Sequence, residues 1–284
     1  MYNYSILQDN ETEVLHHYAK NTDMYLQTWG NLSNLAIHMG YFDKLVKSHE
    51  ESLSKMNEYL FNISKISKSD NVLDAGCGIG GTSIWLAKQH GIKTTGISLV
   101  NEEIELAKKF ANENEVNHLV DFFEMNYNYM NFSNGSFDVI MGIESICHSL
   151  NKMPFFRESN RLLNENGRLI ISDCFLHDHT FSHIERNQIN KISTVYSQSL
   201  CSFSKIKEFL KNANFINIYV FDITDNVLPS YIHGINYMKK MQKNTVDSKL
   251  KNKIHDEIYR TTLEFQCMTK GIIRYGVIYS EKGT

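Results

Sequence analysis

Val72-Leu73-Asp74-Ala75-Gly76-Cys77-Gly78-Ile79-Gly80-Gly81 is the stretch whose reading decides the fold. A short apolar run closes on an acid, four glycines follow, and apolar residues return at helical spacing over 82–90. That order predicts a strand, a tight turn and a helix. Glycine lets the backbone turn sharply and approach a ligand closely, and the helix start offers N–H groups without partners. Outward from this turn the periodicity predicts a strand over 93–97, a helix over 102–112, strands over 119–124 and 137–141, a helix near 155–163 and a strand over 168–173. Strands alternating with helices argue a parallel sheet covered on both faces, with a ligand crevice at the strands' carboxyl ends. After Asp173 a less regular polar stretch runs to about 202. A helix over 203–213, a strand over 216–223, two helices and a last strand over 272–279 follow. Upstream, Leu45, Leu53, Met56, Leu60 and Ile63 recur at three- to four-residue intervals or their multiples within 11–66, as in helices packed on something larger.

The 284 residues contain two prolines and no Gly/Ser-rich or charged linker, so one folding unit without internal repeats is expected. With 42% apolar, 12% aromatic and 21% charged residues, the chain reads as globular. The 29 basic and 32 acidic residues leave a net charge of −3. That is too mild for a broad nucleic-acid or anionic-membrane footprint, and there is no Asn/Asp-Pro-Pro-aromatic motif for gripping a flipped base. The five cysteines are scattered without a Cys-x-x-Cys pair, which suggests neither a disulfide framework nor a structural zinc site. The N-terminus lacks a basic then apolar leader, and no apolar run approaches the roughly 18–20 residues of a membrane span. A cytoplasmic protein is the expectation.

Gly76, Gly78 and Gly81 also fit the dinucleotide pattern Gly-x-Gly-x-x-Gly. Two details oppose it. Asp74 ends the strand, where a carboxylate repels a pyrophosphate and attracts an ammonium. The second strand ends in Gly96-Ile97-Ser98-Leu99, with no acid at its tip for ribose hydroxyls. S-adenosylmethionine, a sulfonium that carries an ammonium and no phosphate, suits the turn better.

VLDAGCGIGG, GISLVNEE, FFEMNYNYM, SFDVIMGIESICHS and RLLNENGRLIISD together resemble the class I S-adenosylmethionine-dependent methyltransferases. The similarity is to the branch acting on sterols, tocopherols, prenyl diphosphates and small amines, with cyclopropane fatty acid synthases more distant. It covers about 68–173 strongly and the first part more weakly, through Trp29-Gly30 and His38-Met39-Gly40-Tyr41. The resemblance implies an α/β, Rossmann-like fold with a seven-stranded, mostly parallel sheet. It implies an N-terminal helical arm over 1–66, a core over 67–284, a lid inserted at about 175–202 and a helical insertion at about 230–268. It further implies S-adenosyl-L-methionine as cofactor. Asp74, Gly76 and Gly78 would surround its methionine part and Ser98 and Leu99 its ribose. Asn126, where the family usually has Asp, would meet the adenine amino group, with Tyr127 over one face and Ile143 at the other.

Methyl transfer needs a positioned nucleophile and a dry site rather than a covalent catalyst. In Gly142-Ile143-Glu144-Ser145-Ile146-Cys147-His148, Glu144 and His148 stand four apart and share one side if the segment is helical. The pattern resembles the Ile-Glu-Ala-x-Cys-His of sterol methyltransferases. Cyclopropane synthases have Glu-His where this chain has Cys147-His148, which counts against cyclopropanation. Glu144 and His148 are therefore the catalytic candidates. His38 is a further one, because it aligns with the part of the arm that closes over the cofactor in the family. Tyr18, Tyr25, Trp29, Tyr41 and Phe42 supply aromatic lining for a cationic intermediate or apolar acceptor. Arg186 and Tyr196 fall in the lid region that sets specificity. His177-Asp178-His179 with His183 has the residue types of a metal site, but in a polar loop reads as solvated, and no metal is expected. The expected function is methylation of a small, largely apolar acceptor, first an isoprenoid-type alkene carbon such as that of a prenyl diphosphate or sterol. An amine or phenol is the alternative, and a cofactor-binding protein without turnover the minor one. No oligomer is indicated.

Overall fold

The computed structural model describes residues 4–28 and 35–283. Strand β1 (Asn71–Ala75) lies inside a seven-stranded sheet, and its position explains its composition. Val72 points to one face, into a cluster with Met56 and Leu60 of helix α2 (His49–Ser64). Leu73 points to the other, into a cluster with Phe155 and Phe156 of helix α5 (Met153–Leu162). A strand covered on both faces has no polar side to alternate with. Full burial of each such side chain contributes roughly 1.5–3 kcal/mol.

From β1 the chain passes through α3 (Gly81–His90), β2 (Lys93–Ser98), α4 (Asn101–Glu113) and β3 (Val120–Glu124), moving toward one sheet edge. It then returns to the other side of β1 as β4 (Phe137–Ile143), followed by α5 and β5 (Leu163–Leu176). The later elements are α6 (His183–Tyr196), α7 (Phe203–Asn212), β6 (Phe215–Asp222), α8 (Thr224–Asn244), α9 (Ser248–Thr269) and β7 (Ile273–Lys282). The strand order is β3-β2-β1-β4-β5-β7-β6, parallel except for β7, which is antiparallel to both neighbours. The reversal between β1 and β4 opens the crevice at their carboxyl ends, where Asp74 pairs in register with Gly96 and Met141. Helix α1 (Tyr4–Thr28) lies against α4, α8 and α9 and roofs that crevice.

The structure differs from the sequence reading in three places. The polar stretch before 202 contains α6, whose start is a capping box: Ser182 Oγ accepts from the Glu185 amide, and the Glu185 carboxylate accepts from the Ser182 amide. Only Ile192 of this helix is buried, which is why its apolar period is faint. Leu45 precedes α2 and is 79% exposed, so it is no part of that helix's packed stripe. The segment after β4 is not helical at Glu144, whose φ of 49° is left-handed; a short 3-10 turn, Ile146–His148, comes two residues later. Glu144 and His148 therefore do not project from one helix face. No helix among the described residues is long and apolar enough to cross a membrane.

Candidate active site

The glycine turn opens on a cleft of about 170 Å³ roofed by α1. Gly76 has φ 90°, and a Cβ there would lie 2.4 Å from the Ser145 Cβ, so β1 and the loop after β4 meet closely because no side chain separates them. Gly78 has φ 51° and nothing within 4 Å of its missing Cβ. Its bare side is part of the cleft, a cradle that a side chain would fill. Ser145 Oγ donates to the Ala75 carbonyl at 2.7 Å and ties the two sides together.

Three carboxyl groups stand on the cleft wall, and among the described lining residues there is no lysine or arginine. Asp74 is 2% exposed and accepts from Ser83 Oγ at 2.8 Å; burial raises its pKa to about 6, with the Ser83 bonds opposing. Glu103, which the sequence reading passed over, reaches in from the first turn of α4. It accepts from Ser98 Oγ at 2.8 Å and from Thr22 Oγ1 of α1 at 3.4 Å, and burial holds its pKa above the ordinary carboxylate range. The missing acid at the tip of β2 is thus supplied by a helix, five residues after Ser98 and bonded to it. The third is Glu144, whose Oε1 accepts from the Met39 amide and from the Tyr275 hydroxyl, both at 2.7 Å. Burial raises its pKa to about 8 despite those two donors. Acids gathered with small hydroxyls and an open glycine cradle fit a donor bearing an ammonium and sugar hydroxyls. They do not fit a pyrophosphate.

His148 lines the same cleft and faces α1. Its Nε2 lies 2.7 Å from the Tyr18 hydroxyl and its Nδ1 3.3 Å from the Ser197 carbonyl. A carbonyl only accepts, so Nδ1 carries the proton. Burial lowers the His148 pKa to about 4, which leaves Nε2 bare to accept from Tyr18. His38 also lines the cleft, but both ring nitrogens are engaged, Nδ1 with the Met39 carbonyl and Nε2 with the Asn57 amide group, each at 3.0 Å.

Of the other expected residues, Gly76, Gly78, Ser98, Leu99, Tyr127, Ile143 and Tyr25 all line the cleft. Asn126 does not: its Oδ1 accepts from the Asn128 amide at 2.8 Å, closing its own turn. Tyr41 stacks on Tyr59 with ring centroids 4.4 Å apart, outside the cleft. Tyr196 packs under the Arg260 guanidinium, 5.8 Å from its ring, and Arg186 is exposed on α6. Trp29 lies outside the described residues. His177 and His179 face each other at 2.8 Å on the surface, Asp178 accepts from the Ser204 amide, and His183 meets Asn187. Among the described residues no three His, Cys, Asp or Glu side chains gather as a metal site.

A methyltransferase domain model matches residues 73–171. The 27-O-demethylrifamycin SV methyltransferase of Amycolatopsis mediterranei is 29% identical over 56% of this chain and 57% of its own length, so that match spans little more than half of the relative. Ajmaline N-methyltransferase of Rauvolfia serpentina is 26% identical over 89% of this chain and 97% of its own. Sterol 24-C-methyltransferase of Saccharomyces cerevisiae is 27% identical over 61% and 44%. Among solved structures, the cyclopropane synthase MmaA2 of Mycobacterium tuberculosis superposes with TM-score 0.85 at 12% identity, covering 95% of this chain and 98% of that one. Geranyl diphosphate C-methyltransferase of Streptomyces coelicolor superposes with TM-score 0.73 at 15% identity, covering 96% and 98%.

Proposed function

The chain is a class I S-adenosylmethionine-dependent methyltransferase, and from that premise we propose that it methylates a small, largely apolar acceptor at an atom that carries positive charge as the methyl group arrives. The observation that carries this reading is Glu144. Its carboxyl group is half-buried at the cleft, fixed through one oxygen and without a cationic partner among the described residues. Such a group stabilises charge that develops beside it, in a site from which water is excluded.

The cofactor supplies a methyl group made electrophilic by its sulfonium. Asp74 would hold the cofactor's ammonium, Glu103 with Ser98 its ribose hydroxyls, and Tyr127 and Ile143 its adenine, with Leu99, Gly76 and Gly78 giving close backbone approach. His38 would act by position, tying the loop that donates the Met39 amide to Glu144 onto α2 through Asn57. Tyr18 and His148 form a proton relay: the hydroxyl oxygen takes the acceptor's proton while its own passes to His148 Nε2. Tyr25 and Tyr18 give the cationic atom an aromatic flank.

Two acceptor chemistries use these parts. An isoprenoid-type alkene carbon becomes a carbocation and then loses a proton, as the sterol relative and the geranyl diphosphate neighbour suggest. An amine nitrogen is the second reading, favoured by the Tyr18–His148 relay and by the ajmaline relative. The absence of lysine and arginine among the described lining residues speaks against a diphosphate beside the reacting atom. Incubation with methyl-labelled cofactor and a panel of sterols, prenyl alcohols, prenyl diphosphates, phenols and amines tests the function. Label in a small apolar acceptor is expected, and label in none of the panel would defeat the proposal.

A further inference from the structure

Away from the backbone amides of the glycine turn, the side-chain hydroxyl hydrogens on the cleft wall are already committed. Among the described residues seven hydroxyl side chains line it, and six of them give their proton to protein atoms. Tyr18 donates to His148 Nε2, Tyr127 to the Ser145 carbonyl at 3.2 Å, and Ser145 to the Ala75 carbonyl. Ser98 donates to Glu103, Thr22 to the Tyr18 carbonyl at 2.7 Å, and Thr82 to Asn57 Oδ1 at 3.2 Å. The seventh, Tyr25, is paired with His17 Nε2 at 2.8 Å. The His148 proton goes to Ser197, and the Cys77 thiol points to the Gly78 carbonyl. What the hydroxyls present to a ligand is therefore lone pairs, and Glu144, whose carboxyl burial keeps protonated up to about pH 8, does the same once a bound cation takes the place of that proton.

That asymmetry is sharpest away from the glycine turn. Glu144 Oε1 already accepts two hydrogen bonds, whereas Oε2 has no partner among the described residues. Tyr18 lines the same cleft as Glu144. Burial above all, and then its neighbours Tyr25, Cys147, Glu103 and Glu144, raise the phenol's pKa, so it stays protonated, and with that proton donated to His148 its oxygen presents lone pairs. A hydrocarbon placed there leaves both oxygens unpaired, at a cost of about 1–3 kcal/mol each, and a phosphate or carboxylate adds repulsion to that loss. A group with several N–H bonds and a positive charge satisfies both oxygens at once.

We propose that the acceptor reaches this cleft as a protonated, phosphate-free amine on an apolar skeleton, its N–H groups bound by Glu144 Oε2 and the Tyr18 hydroxyl oxygen. The inference rests on the reading that this cleft holds the acceptor, and it chooses nitrogen over the alkene carbon. One N–H proton would then pass to Tyr18 as the tyrosine proton moves to His148 Nε2, freeing the nitrogen lone pair to attack the methyl carbon. The electron pair of the broken carbon–sulfur bond stays on sulfur, so charge and atoms balance.

The test is equilibrium binding to the enzyme saturated with S-adenosylhomocysteine. The probes are primary aralkyl amines from benzylamine to tryptamine, each paired with the alcohol of the same skeleton, and geranyl diphosphate. At least one amine should bind tenfold or more tightly than its alcohol and than the diphosphate. Glu144→Gln should shrink that preference below threefold while S-adenosylhomocysteine affinity, which reports the folded state, stays within twofold. Amines that bind no better than their alcohols, a diphosphate that binds as well, or a preference that survives Glu144→Gln would each overturn the inference. Label transfer to an alkene without any amine preference would overturn it too while leaving the methyl-transfer reading standing. Amine preference without label transfer to any acceptor would defeat that reading instead.

Discussion

At the scale of single residues, Glu144 is held in a conformation that non-glycine residues seldom adopt, φ 49°, by donors from two distant parts of the chain, Met39 and Tyr275. Left-handed backbone costs an ordinary residue roughly 1–2 kcal/mol. Glu144→Gln keeps the shape and removes the charge, so it should lower kcat by about 100-fold or more with cofactor affinity little changed, as steady-state kinetics beside calorimetry will show. Tyr18→Phe deletes the relay hydroxyl and should reduce kcat by a factor on the order of 10² to 10⁴. Turnover within threefold of the parent would remove Tyr18 from the mechanism. Asp74→Ala removes the buried partner proposed for the cofactor's ammonium and should cost about 2–5 kcal/mol of cofactor binding, read by titration calorimetry.

At the scale of elements, the strand–turn–helix unit does two jobs with different glycines. Gly76→Ala drives a Cβ against Ser145, which the Ala75 carbonyl holds in place, and adds the left-handed penalty of φ 90°. It should destabilise the fold by about 2–5 kcal/mol, the sum of roughly 1–2 for the backbone and 1–3 for overpacking. Gly78→Ala meets no atom within 4 Å and carries only the backbone penalty, but its methyl group enters the cleft. A lower melting temperature is expected mainly for the first and weaker cofactor binding mainly for the second. The turn was legible because its residues adjoin in sequence. Helix α6 was missed because one buried residue gives no period, although its Ser182-x-x-Glu185 cap was there to be read.

At the scale of the whole molecule, the interior stores acids and histidines with opposed pH behaviour. Burial raises Glu264 to about 7 and Glu144 to about 8, from an ordinary value of 4.5. Each raised acid contributes stability that is whole below 4.5 and is lost as pH rises through its folded value. Burial lowers His17, His49 and His148 from 6.5 to about 4, so their contribution is whole above 6.5 and is lost as pH falls toward 4. Above pH 6.5 these histidines no longer change while Glu264 and Glu144 still release protons. The ligand-free melting temperature should therefore decline from pH 6.5 to 8, and less steeply in Glu144→Gln. A rising melting temperature over that range would contradict the burial of these acids.

The sequence by itself determined the alternation of strands and helices, the glycine turn with Asp74 at its edge and the sulfonium cofactor, because the residues that signal each stand within a few positions of one another. Tertiary structure alone decided that Tyr18 and His148, 130 residues apart, share a proton, and that Tyr275 fixes Glu144 from a distance of 131 residues. It also decided that α4 brings Glu103 under Ser98, and that Asn126 and Tyr41 turn away from the cleft. The period of a helix or strand says which face of an element is apolar. It does not say which polar group on another element will meet that face, and the proposed proton relay and acceptor pocket consist of just such meetings.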